Sequence, residues 1–112
     1  MIQARFERSA DGKTLLFSVS GHAGQNVHGC DVVCAAASIL ATTLGQTVWY
    51  LHDQRKLKRT PAVRLDPGDA VITCKPSKGH DQEAVCAFEF ARTGFGLLEE
   101  AYPEYVKITN VW

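Results

Sequence analysis

The stretch that decides the fold runs from Asp31 to Leu51 and reads DVVCAAASILATTLGQTVWYL. Apolar residues recur along it at the three- and four-residue spacing of a helix, and several alanines allow close packing. Because the segment is apolar nearly all round, we expect a central helix that other elements cover. Asp31 is predicted to be the N-cap, since its carboxylate can accept a hydrogen bond from an amide two or three residues on.

A hairpin is predicted before this helix. Residues 2–7 and 15–19 alternate between apolar and polar side chains, which is the pattern of strands with one buried face. The Asp11-Gly12 pair between them favours a tight turn. The stretch 21–30, GHAGQNVHGC, has three glycines and no periodicity, so it is predicted to be a mobile loop.

Two further strands, a helix and a last strand are predicted after the central helix. Residues 62–65 and 70–75 are strand-like and flank the turn sequence Asp66-Pro67-Gly68-Asp69. An apolar stripe predicts a helix from Asp81 to Tyr102, and residues 105–109 alternate again. The order ββαββαβ predicts an α+β fold, a mostly antiparallel five-stranded sheet packed with two helices.

Length and composition bound the class of protein. The 112 residues suit one domain, 1–112, with a single core. Twelve basic and twelve acidic residues give no net charge, so overall charge does not favour nucleic acid or membrane. We expect no membrane span and see no signal peptide, which makes the cytoplasm the expected compartment and the four cysteines reduced.

Cys34 and His22 carry the chemistry that the sequence favours. Only about 3% of an ordinary thiol is ionised at neutral pH, and the thiolate is the nucleophile. At the third position of the predicted helix, Cys34 would gain about 0.3–1 kcal/mol of anion stabilisation, which is too little alone. His22 lies at the end of a strand, and the loop after it leads to this helix. It is therefore predicted to supply the rest as an imidazolium and to act as general base.

Other residues are predicted to support this pair. Ser38 lies one helical turn beyond the thiol on the same face, where it would line the site or bind substrate. Asp31 is the nearest carboxylate, and Gly21 is expected to be a supporting or substrate-binding residue. Gly24 and Gly29 are predicted hinges that let the loop close over a bound peptide.

Three segments together resemble a known family. GHAG at 21–24, DVVCAAAS at 31–38 and YPEYVKI at 102–108 are similar to the signature of the ribosomal-processing cysteine proteases, the Prp family. The resemblance implies a cysteine protease with Cys34 as nucleophile and His22 as base. It assigns the family's aspartate and serine to Asp31 and Ser38.

The resemblance also implies a substrate and partners. Members remove a short N-terminal extension from a bacterial large-subunit ribosomal protein, the twenty-seventh in the standard list, after a small residue that follows an apolar, aromatic-containing segment. They are similar in forming homodimers and in needing no metal or cofactor. We therefore expect the ribosomal protein precursor and a second copy of this chain as partners, with no membrane and no direct nucleic-acid contact. Cys30 departs from the family's usual polar or charged residue, and a disulfide with Cys34 or a cysteine without a role both stay open.

Two other readings compete with the protease. His22, His28, Cys30 and Cys34 offer nitrogen and sulfur ligands for a metal, but their spacing matches no standard pattern. A cluster of basic residues is the basis for a non-catalytic, ribosome-associated binding module as the second alternative, although such residues are more typical of a helix C-terminus and a solvated loop; its members are Arg55, Lys56, Lys58, Arg59 and Arg64. Cys74, Cys86 and Trp49 are predicted to fill the core.

Overall fold

The computed structural model of the chain describes residues 1–22 and 30–112, and for Cys30, Asp31 and Val111 it describes the backbone alone. The predicted hinges Gly24 and Gly29 therefore lie outside the described residues. The elements follow the predicted order: β1 (Ile2–Arg8), β2 (Leu15–Ser20), α1 (Cys30–Asp53), β3 (Ala62–Asp66), β4 (Asp69–Cys74), α2 (Asp81–Ala101) and β5 (Val106–Val111).

The five strands form one sheet in the order β3-β4-β2-β1-β5. Three neighbouring pairs are antiparallel, and only β1 and β5 run parallel. Gln3 is opposite Ser20, and Ser20 is opposite Asp69, so the start of β1, the end of β2 and the β3–β4 turn share one end of the sheet. The predicted α+β fold with a mostly antiparallel five-stranded sheet and two helices is confirmed.

The core lies between the sheet and the two helices. Phe6 and Phe17 are fully buried, their rings are 4.9 Å apart, and the ring of Phe95 from α2 is 5.4 Å from that of Phe17. Every second residue of β1 and of β2 thus contributes to one buried face, as the alternation predicts. The α2 stripe is confirmed as well, because its buried residues are Ala84, Phe88, Ala91, Phe95 and Leu98.

α1 has an exposed outer side, although its apolar residues nearly all round predicted a central helix. Val33 and Val48 are fully buried, but Val32, Ile39 and Tyr50 are 58–62% exposed. The reason is architectural: both helices lie on one face of the sheet, and no described element covers their outer side. By length and composition, Val32–Asp53 also passes as a membrane-spanning helix, contrary to the expectation, although the core helix of a globular protein meets the same criteria.

The start of α1 also differs from the prediction. The helix begins at Cys30, so Asp31 is inside the first turn rather than at the N-cap. Cys34 is consequently the fifth helical residue instead of the third. The favourable field of a helix end falls off within the first turn, so the thiol receives less help from it than the sequence suggested.

Close packing of the helices involves one of the two α2 glycines. A Cβ at Gly94 would stand 2.5 Å from Leu40 Cδ2, whereas a Cβ at Gly96 would meet nothing within 4 Å. The buried position predicted for Cys74 is confirmed, but Cys86 is exposed, so its predicted role as core filler is wrong.

Candidate active site

A cleft of about 270 Å³ opens at the end of the sheet where β2 ends and α1 begins. Its polar lining includes His22, Cys34 and Ser38, and the β3–β4 turn, residues 66–69, closes the opposite side. Three elements that are distant in the chain therefore meet there, because the strand order places β4 beside β2.

His22 reaches this cleft from the residue pair that follows β2. Gly21 adopts φ +90°, a left-handed conformation that favours glycine, and its N–H donates a hydrogen bond of 2.9 Å to the carbonyl oxygen of Gly68. The His22 residue is exposed, and its imidazole lies against the backbone of Gly68. The end of β2 and the β3–β4 turn thus hold the imidazole at the mouth of the cleft.

Cys34 and Ser38 reach the cleft from α1. Cys34 is half-buried, and Ser38, one helical turn later, is exposed. Both residues line the same cleft, together with Gly21 and His22. The side chain of Asp31 is outside the described atoms, so its predicted supporting role stays a prediction.

The remaining walls of the cleft are apolar. Ile2 and Val19 line it from the sheet, Ala37 and Ala41 from α1, and Leu65 from the end of β3. The two alanines are nearly buried and project little into the space between the helix and the sheet. Such a lining suits apolar side chains of an extended ligand, with the polar groups at the mouth.

The β3–β4 turn is the part of the site that the sequence analysis missed. Asp66 and Asp69 both line the cleft, and Arg64 binds Asp69 through two contacts, Nη1–Oδ2 at 2.5 Å and Nη2–Oδ1 at 3.3 Å. The hydrogen bonds that Arg64 donates to Asp69 raise the pKa of the exposed Arg64 guanidinium above its usual value, and the nearby charge of Asp69 adds to this. Composition identified the turn, but only the non-local strand order brings it to the cysteine.

The basic cluster lies away from the cleft, apart from Arg64. The N–H of Lys58 donates to the carbonyl oxygen of Lys75 at 2.8 Å, which ties the segment after α1 to the end of β4. This is the opposite end of the sheet from the β3–β4 turn. The cluster is therefore remote from the thiol and the imidazole.

The arrangement of thiol and imidazole suits covalent nucleophilic chemistry. A sulfur nucleophile, a nitrogen base and an apolar groove are what acyl transfer to a cysteine requires. Within residues 1–22 and 32–112, no three His, Cys, Asp or Glu side chains gather as a metal site would need. The proposed metal ligand His28 and the side chain of Cys30 are outside the description, so that reading is untested.

Comparison with known proteins gives a family and a fold. A family model described as "Cysteine protease Prp" matches residues 1–107. Comparison with curated protein sequences gives no significant match. SMU.848 from Streptococcus mutans is 28% identical, with 99% of this chain and 94% of that chain covered and a TM-score of 0.69.

Two further similar structures are of a ribosomal processing protease Prp from S. aureus. One, in complex with a substrate peptide, is 20% identical, with 98% of this chain and 99% of that chain covered and a TM-score of 0.72. The other, with a covalently linked product peptide, is 21% identical over the same shares, with a TM-score of 0.71. At this identity the likeness supports the shared fold.

Proposed function

The chain belongs to the cysteine protease Prp family, and from that membership we propose that Cys34 is its nucleophile and His22 its general base. The observation that carries the proposal is the shared cleft, which receives the thiol from α1 and the imidazole from the end of β2. A thiol next to an imidazole can form a thiolate–imidazolium pair, which is the reactive form of a cysteine nucleophile. Because Cys34 lies beyond the first turn of α1, the imidazole carries most of the stabilisation of the thiolate.

In the proposed reaction His22 takes the proton from the Cys34 thiol, and the sulfur attacks the carbonyl carbon of the scissile peptide bond. The tetrahedral oxyanion collapses to a thioester as the C–N bond breaks, and the imidazolium gives its proton to the departing amine. Water then attacks the thioester while His22 accepts its proton, and the acid product leaves as the thiol regains that proton. The proposed oxyanion donors are backbone amides near Cys34 and in the loop 21–30.

The proposed substrate is the N-terminal extension of a bacterial large-subunit ribosomal protein, the twenty-seventh in the standard list. Two observations support it: the S. aureus protein with the same fold is described as a ribosomal processing protease that binds a substrate peptide, and the cleft of this chain has apolar walls. The apolar, aromatic-containing segment before the scissile bond would dock against those walls. Ser38, at the mouth of the cleft, is proposed to contact the peptide backbone.

We also propose that the enzyme acts in the cytoplasm as a homodimer without a metal or cofactor. The uncovered outer side of the helix pair supports the dimer, because Phe90 and Leu97 of α2 are 80% and 62% exposed and Ile39 of α1 is 62% exposed. Exposed apolar side chains of this size are typical of interfaces. Sedimentation velocity at micromolar concentration would test it, and a concentration-independent monomer would contradict the dimer.

The decisive experiment incubates the protein with a peptide that spans the extension of the ribosomal protein. Wild-type protein is expected to cut the peptide at one bond, and Cys34→Ala is expected to lose cleavage because the thioester cannot form. Cys86→Ala is the matched control, since it removes an exposed thiol that lies far along the chain on α2. Mass spectrometry of the products identifies the bond.

The control variant decides how the result is interpreted. Cleavage by Cys34→Ala at the wild-type rate would refute the proposed nucleophile. If Cys86→Ala loses cleavage and Cys34→Ala keeps it, the nucleophile is Cys86, and the proposal for Cys34 is refuted as well. If the protein is a non-catalytic binding module, wild type and both variants should bind the peptide without cutting it.

A further inference from the structure

We infer that Gly68, in the β3–β4 turn, is a positioning residue that sets where the His22 imidazole stands in the cleft. This inference rests on the proposed function of His22 as general base. Its starting observation is steric: a Cβ on Gly68 would stand 2.5 Å from His22 Nε2 and 2.6 Å from His22 Cε1. The imidazole therefore occupies the space that any other residue type at 68 would fill with its side chain.

The contact involves the reactive edge of the ring. Nε2 and Cε1 are the ring atoms nearest to the position that a Cβ would take on Gly68, and Nε2 is one of the two atoms that can carry or accept the proton. In the side chains that the structure describes, no carboxylate or carbonyl oxygen is hydrogen-bonded to this ring. Among the described residues, packing against the turn is therefore the contact that restricts the imidazole.

Hydrogen bonds hold the β3–β4 turn in place, so it can limit the position of the His22 imidazole. The carbonyl oxygen of Gly68 accepts the N–H of Gly21 at 2.9 Å, so the turn and the residue before His22 are tied directly. Asp69, the next residue, is bound by two nitrogens of Arg64. Proline at 67 restricts the backbone before the glycine, and Gly68 then adopts φ +72°. The wall of the cleft is thus fixed relative to both strands.

Gly12 offers an unusually close control for the effect of a Cβ at Gly68. It occupies the other described hairpin turn, between β1 and β2, with φ +74°, and a Cβ there would meet nothing within 4 Å. Gly12→Ala and Gly68→Ala therefore introduce the same left-handed backbone strain. Only Gly68→Ala also displaces the imidazole.

The test compares wild type, Gly68→Ala and Gly12→Ala by kinetics on the extension peptide. We expect kcat to fall on the order of a hundredfold in Gly68→Ala, because a displacement of about 1 Å in a catalytic group has that effect. KM should stay within about twofold, since the apolar walls that bind the peptide are untouched. Gly12→Ala should keep the wild-type kcat, although the same backbone strain lowers its melting temperature. Equal kcat in the two variants, whether high or low, would overturn the inference.

A second variant guards against misfolding, and a spectrum separates this inference from the proposed function. Gly68→Asn retains the Cβ, but asparagine tolerates left-handed backbone; folded Gly68→Asn with wild-type kcat would overturn the inference. In wild-type protein, NMR should show cross-relaxation between the His22 ring protons and the Gly68 Hα protons, and its absence would overturn the inference too. If wild type shows that contact but never cleaves the peptide, the proposed function fails while the positioning contact stands.

Discussion

At one end of the sheet the thiol of Cys34 is half-buried and lines an open cleft with His22, whereas at the other end the thiol of Cys74 is 2% exposed. Burial raises the pKa of Cys74 from 9.0 to about 12, and the small pocket beside it is lined by Arg59, Lys75 and other residues but no histidine. The same residue type thus lines an open cleft in one case and is buried in the core in the other. Partial exposure in a cleft that an imidazole also lines, rather than the presence of a cysteine alone, distinguishes the proposed nucleophile Cys34.

The two ends also differ in the charged residues that they hold. The cleft end has the carboxylates of Asp66 and Asp69 around one guanidinium, while the opposite end joins Lys58 to the strand end that holds Lys75. Overall charge, which the sequence gives, does not describe the surroundings of the site.

The largest effect is expected from the histidines at the two ends. His22→Ala should lower kcat/KM for the extension peptide by about a thousandfold or more, because the thiol loses its base and the leaving amine its proton donor. His52→Ala, in the last turn of α1 next to Trp49, should leave kcat/KM unchanged. Steady-state kinetics by product chromatography measures both. A similar loss of kcat/KM in His22→Ala and His52→Ala would contradict the proposed role of His22 as general base.

Alkylation of the wild-type protein should show the next largest difference. At pH 8, iodoacetamide should modify Cys34 at least about a thousandfold faster than Cys74, since an increase of about three units in the pKa of Cys74 lowers its thiolate fraction by that factor relative to an ordinary thiol. Peptide mapping by mass spectrometry follows each site separately. In urea, Cys74 should become as reactive as an ordinary thiol. Equal rates at the two sites in the folded protein would contradict the assignment.

The smallest effect is the dependence of stability on pH that Cys74 introduces. Its pKa is about 12 in the folded protein and 9.0 as an ordinary thiol, so above pH 9 the unfolded chain releases the proton first. The free energy of unfolding should therefore fall by about 1.4 kcal/mol per pH unit between pH 9 and pH 12 from this group, with no contribution below pH 9. Urea unfolding of wild type and Cys74→Ala at pH 8 and pH 10 isolates it. An equal fall in the free energy of unfolding of both proteins between pH 8 and pH 10 would show that Cys74 is not its cause.

Much of the fold follows from local patterns in the sequence. The alternation in β1 and β2 and the stripe on α2 predicted which side chains are buried, because each depends only on the period of its own element. The prediction that Cys86 fills the core disagreed with the helical period. Cys86 is two residues from both Ala84 and Phe88, so it points away from the buried stripe that they form. The exposure of the outer side of α1 could not be predicted from the helical period, because Val32 and Ile39 on that side are apolar as well.

The site was predictable to the extent that it is a short-range feature. GHAG and DVVC, close together in the sequence, pointed to His22 and Cys34, and both residues line one cleft. Gly68 and Asp69 could not be found in this way, because more than thirty residues separate them from Cys34 and only the strand order β3-β4-β2 brings their turn alongside. The wall of the cleft that the β3–β4 turn forms depends on strand order, so no local sequence pattern indicates it.

The position of the first strand has a practical consequence for fusion proteins. Ile2 lines the cleft, and Met1 precedes it beside Gly21, so a segment attached ahead of Met1 would leave the fold next to the thiol. Such a tether holds a peptide at an effective concentration of about millimolar, where it competes with added substrate. Because β5 runs parallel to β1, Trp112 is at the far end of the sheet. An affinity tag attached after Trp112 would therefore leave the cleft accessible.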